Sequence, residues 1–107
     1  MGKTLVQGST PRIRHVHQDD DGNPIDISLN DELIIRIELP DGTRVDRTGI
    51  LHTSGTDGAH YYDFVPADSA QSGLYKSQGR VHLTSGKQHN TEVQSFYIYP
   101  SLAAPSP

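Results

Sequence analysis

A chain of 107 residues, 33% hydrophobic and 21% charged, has the size of one domain with one modest core. No apolar run approaches the ~18 residues of a membrane-spanning helix. The net charge of −4 and pI near 5.8 leave no basic footprint for nucleic acid. With no cysteine, disulfides, thiolate metal sites and cysteine nucleophiles are excluded, and folding in a reducing cytosol is expected.

The first ten residues, MGKTLVQGST, lack the apolar stretch of a secretory signal. Val6 stands where a myristoylation signal carries Ser or Thr. Residues 1–10 read as a flexible arm and SLAAPSP at 101–107 as a tail, flanking one domain over 11–100. RIRHVHQ at 12–18 predicts a first strand, closed by the turn DDDGNP at 19–24. The longest stretch free of Gly and Pro runs from Ile25 to Leu39. Leu33, Ile35, Ile37 and Leu39 alternate with Arg36 and Glu38, which predicts a strand with Ile34 on its outer face. Pro40-Asp41-Gly42 is a turn. TRVDRTGILHT at 43–53 reads as one strand kinked at Gly49. SGTDG at 54–58 is a hairpin signal, followed by the aromatic strand AHYYDFVP at 59–66. Strands over 74–83 and 92–100 follow, joined by the loop TSGKQHN. About seven strands with closely spaced turns predict an all-β antiparallel sandwich.

PADSAQSGLY at 66–75 places Asp68, Gly73 and Tyr75 immediately before a strand. It resembles the tyrosine corner of immunoglobulin-like sandwiches, in which a Tyr hydroxyl bonds back to nearby backbone. Ser77 stands where immunoglobulin domains carry a Cys, and the chain has no Trp. From Val16 to Ile98 the order DGNPIDIS, LIIRIELPDG, HYYDFVPAD, SGLYKSQGRVHLTSGK and FYIYP is similar to an Ig-like module of tailed-phage structural proteins. The likeness is to the N-terminal domain of baseplate upper proteins. Ile25-Asp26-Ile27, Pro40-Asp41-Gly42 and Gly73-Leu74-Tyr75 carry the steps of that pattern. The resemblance implies an immunoglobulin-like sandwich serving as a virion component. Those proteins continue into a helical region and a receptor-binding platform, whereas this sequence ends after the one module. That shifts the expectation to a stand-alone subunit on capsid, neck or tail.

His15 and His17 are two apart and share one strand face, as metal ligands do. His52, His60, His82 and His89 offer a third ligand, but no spacing selects one, and no metal or other cofactor is expected. Asp19-Asp20-Asp21-Gly22-Asn23 opens like a calcium loop, yet Pro24 occupies the glycine position and no closing Glu follows, so a turn is expected. No GxSxG, HExxH or phosphate-binding Gly-rich motif is present, and a non-enzymatic protein is expected. Tyr62, Tyr97 and Tyr99 are candidate interface residues, since exposed Tyr anchors protein and carbohydrate contacts. The expectation is a multi-copy virion subunit made in the host cytoplasm, with other virion proteins as partners and neither nucleic acid nor membrane. A small carbohydrate- or host-surface-binding module, or a baseplate or tail-fibre attachment protein, is the alternative.

Overall fold

The computed structural model describes residues 5–101. Among these residues, alternating apolar side chains and frequent turns give nine strands: β1 Leu5–Val6, β2 Arg12–Val16, β3 Asn30–Glu38, β4 Arg44–Thr48, β5 Ile50–Leu51, β6 Ala59–Asp63, β7 Gly73–Leu83, β8 Gln88–Asn90 and β9 Gln94–Tyr99. The larger sheet has the order β1-β9-β7-β3-β4, with β8 paired to β7, and the smaller sheet is β2-β6-β5. All pairs are antiparallel except β1 with β9. The two layers form an immunoglobulin-like β-sandwich. In that scheme β2 and β6 take the places of strands B and E, and β3, β7 and β9 those of C, F and G.

Strand alternation decides what lies between the sheets. On β3, Leu33, Ile35 and Ile37 point inward and are buried. One apolar cluster joins Ile13, Ile35, Ile37, Phe64, Tyr75 and Ile98, with the Tyr75 and Phe96 rings stacked at 5.5 Å. A smaller cluster joins Ile27, Leu33 and Val81. Each fully buried side chain of this kind contributes roughly 1.5–3 kcal/mol. Inward positions on β7 run Tyr75, Ser77, Gly79 and Val81. The middle pair is small and polar, so the two apolar clusters are separated by a polar layer.

The corner before β7 is built by a short 3-10 turn, Pro66–Ser69. The Tyr75 hydroxyl donates to the Gln71 carbonyl at 2.9 Å. Gly73 has φ +133°, and a Cβ there would meet Pro40 Cβ at 2.8 Å, so a side chain is excluded on two counts. Asp68 accepts bonds from the Tyr62 hydroxyl (2.6 Å), the Val65 amide (2.9 Å) and Arg47 (2.8 Å). Burial alone would raise the Asp68 pKa, but these donors outweigh it and hold the carboxyl below its ordinary range.

Three elements depart from the sequence reading. Residues 43–53 are not one kinked strand, because β4 lies in the larger sheet and β5 in the smaller. The chain changes sheet at Gly49, where a Cβ would come within 2.6 Å of His60 Nδ1. The arm expected over residues 1–10 is docked from Leu5 onward; its first four residues lie outside the described region. Leu5 and Val6 pair with Ile98 and Tyr99, because the outer edge of β9 otherwise presents unpaired backbone groups. The Gln7 side chain donates to Ala70 O and accepts from the Ser101 amide, and Ser69 Oγ donates to Ser9 O. Ser101 thereby begins the expected tail inside this network, and residues 102–107 lie outside the described region. Finally, the loop TSGKQHN contains β8, which pairs with β7.

Candidate functional site

The polar layer between the apolar clusters is made of histidines. His15 on β2, His17 just after it and His60 on β6 are all fully buried, and His89 on β8 is half-buried. Alternation on β2 aims His15 and His17 at the larger sheet. The slot for His60 is cut by two glycines. A Cβ at Gly49 would lie 2.6 Å from His60 Nδ1, and one at Gly79 would lie 2.6 Å from His60 Nε2 and 2.8 Å from His15 Cβ.

His15 is held at both ring nitrogens. Thr91 Oγ1 accepts from the Gly79 amide at 2.9 Å and lies 3.0 Å from His15 Nδ1 and 3.1 Å from Glu92 O. His15 Nε2 lies 2.9 Å from Ser77 Oγ, so the neutral ring donates through one nitrogen and accepts through the other. This inter-sheet contact joins β2 to β7 where immunoglobulin sandwiches place their B–F disulfide.

The other three imidazoles form a row. His60 Nε2 and His17 Nε2 are 3.0 Å apart, and His17 Nδ1 and His89 Nδ1 are 2.7 Å apart. His60 Nδ1 is buried without a partner. An orphaned buried N–H is rarer and costlier than an under-used acceptor, so the proton of His60 belongs on Nε2. The row then runs in one direction: His60 donates to His17, and His17 donates to His89. Burial, reinforced by mutual repulsion, lowers the pKa of His17 to about 3. Burial is also the main cause that lowers His15 and His60 to about 4 each. His15, His17 and His60 are therefore uncharged near neutrality.

Of the sequence candidates, His15, His17, His60 and His89 come together. His52 instead sits at the surface with Nδ1 3.0 Å from Asp57, and His82 is exposed on β7. The nitrogens meet in pairs along a line, and among the described residues no three His, Cys, Asp or Glu converge to hold a metal. At the acidic turn, Asp19 Oδ1 accepts from the amides of Asp21 and Asn23 at 2.9 Å each, so this carboxylate is engaged in the turn itself.

A second feature lies on the outer face of the larger sheet. Tyr97 and Tyr99 are about half exposed, with ring centroids 4.7 Å apart. Leu74 faces Tyr97 across the β7–β9 pair and is also half exposed. Next to them Arg36, Glu38, Arg44, Lys76, Gln78, Val93 and Ser95 line an open depression of about 500 Å³. Arg36 pairs with Asp46 and Arg44 with Glu38. Tyr62 is not part of this face: it is half-buried, and its hydroxyl is spent on Asp68.

The chain matches no known family model, no curated protein and no solved structure.

Proposed function

We propose that the chain is a non-enzymatic structural subunit of a virion, docked in many copies on capsid, neck or tail proteins through the outer face of its larger sheet. The observation that carries this reading is the exposed Tyr97–Tyr99–Leu74 stripe beside the open depression. Half-exposed tyrosines next to an aliphatic side chain form the kind of rigid, amphipathic surface that becomes a binding hot spot. The order of turn and strand motifs from Val16 to Ile98 supports the virion assignment through its likeness to tailed-phage modules. Tyrosines beside polar groups also favour one rival, a carbohydrate-binding module.

The test is the double variant Tyr97→Ser/Tyr99→Ser. Removing two hot-spot side chains of ~2 kcal/mol each is expected to weaken particle association several-hundredfold or more. The isolated subunit should keep its far-ultraviolet spectrum. Unchanged incorporation into particles would refute the docking face. Glycan binding by the parent subunit that is lost in the variant would favour the rival.

A further inference from the structure

The histidine row plays no part in the docking face. Its members come from three different places: His17 from the end of β2, His60 from β6 and His89 from β8. β8 has three residues and pairs with β7 alone. The His17–His89 bond ties β8 across to the smaller sheet. The His15 bonds to Ser77 and Thr91 tie the same layer together. On one side of this layer the sheets are held by Ile13, Ile37, Phe64 and Tyr75, and on the other by the smaller cluster of Ile27, Leu33 and Val81, none of which carries an ionisable group short of the Tyr75 phenol.

We propose that the His89–His17–His60 row is an acid-triggered latch that fastens β8 and the adjoining inter-sheet seam between the two apolar clusters and lets them open locally when protons are supplied.

The geometry explains the trigger. A neutral row satisfies each internal nitrogen pair with one proton. A second proton on His17 forces His60 to carry its own proton on Nδ1, which faces Gly49 and has no acceptor. The groups that act electrostatically on His17 are the other three histidines, and the one acting on His60 is His15. The seam meets Ser77, Gly79 and Val81 of β7, Thr91 of the segment before β9 and Leu33 of β3, none of them charged. Among the described residues no carboxylate acts on His17 or His60, so a proton there is accommodated by exposing the imidazoles to water.

Amide hydrogen exchange of the full chain, corrected for intrinsic rates, tests the latch. At pH 7.0 the Gly79 and Thr91 amides, which bond within the seam, should exchange through a smaller opening than those of Ile35–Glu38. Between pH 7.0 and 5.5 their protection should fall about 70-fold, as two imidazoles regain ordinary proton affinity on opening. In His17→Gln, whose amide both donates and accepts, the fall should shrink to about 8-fold. His89→Gln is the second variant if the first does not fold. It should loosen the Thr91 amide at pH 7.0 and keep the 70-fold pH factor. Equal protection of both amide sets at pH 7.0, or seam protection that ignores pH, would overturn the latch.

Discussion

Acidification from pH 7.5 to 5.0 is expected to remove about 6 kcal/mol of stability through three buried imidazoles. The folded protein holds His15 and His60 at about 4 and His17 at about 3, while the unfolded chain returns each to roughly 6.5. The folded pKa lies below the unfolded one, so it is the unfolded state that binds protons as the pH falls. Stability is complete above about pH 7 and is lost through the window from ~6.5 down to about 4 for His15 and His60 and about 3 for His17. At pH 5.0 each unfolded imidazole gains RT ln(1 + 10^1.5), about 2 kcal/mol, against less than ~0.1 kcal/mol at pH 7.5. The slope near pH 5 is then about 4 kcal/mol per unit, three times the one-proton value. A domain with the usual 5–15 kcal/mol of stability comes close to unfolding in this range. Urea denaturation followed by far-ultraviolet dichroism at half-unit pH steps measures the effect, with the midpoint falling at constant m. A stability that stays flat between pH 7.5 and 5.0 would refute the reasoning, since it would mean that the imidazoles keep their solvent-like proton affinity inside the fold.

Three further outcomes follow from the packing. Tyr75→Phe should cost about 1–3 kcal/mol in a denaturant titration, because the buried hydroxyl bond to Gln71 O is lost and the carbonyl keeps no substitute from Phe. Gly79→Ala should destabilise by roughly 1–3 kcal/mol or more, since its Cβ would press on His60 Nε2 and His15 Cβ, and a fold unchanged in stability would show that the slot is slack. Deleting residues 1–8 should lower Tm by several degrees through loss of the Leu5 and Val6 pairing and of the Gln7 bonds, at ~4–8 °C per kcal/mol for a domain of this size. An unchanged Tm in calorimetry would return those residues to the status of a loose arm.

The strands were legible where one face is apolar and the other charged. Leu33, Ile35 and Ile37 against Arg36 and Glu38 is a pattern that only a half-buried strand satisfies. The corner was legible because Gly73 and Tyr75 act within a few residues of each other. The Gly49 crossing was not, because a glycine that ends a strand by making room for a distant ring looks like one that kinks it. Nor was β1 readable in two residues, since its partner is the far end of the chain. His15 and His17 showed a shared face from their spacing alone. That His60 and His89 meet them depends on how the two sheets register across the interior, and no local signal encodes that. The lack of an apolar residue at Ser77 and Gly79, in a strand otherwise buried at every second position, was the one hint of a polar layer.

Sandwiches of this architecture commonly rivet their halves with a covalent sulfur bridge, which reductants undo. Here an imidazole and a hydroxyl, His15 and Ser77, span that gap. Such a rivet is indifferent to thiols and answers to hydronium instead. The cohesion of such a sandwich reports how sour its surroundings are.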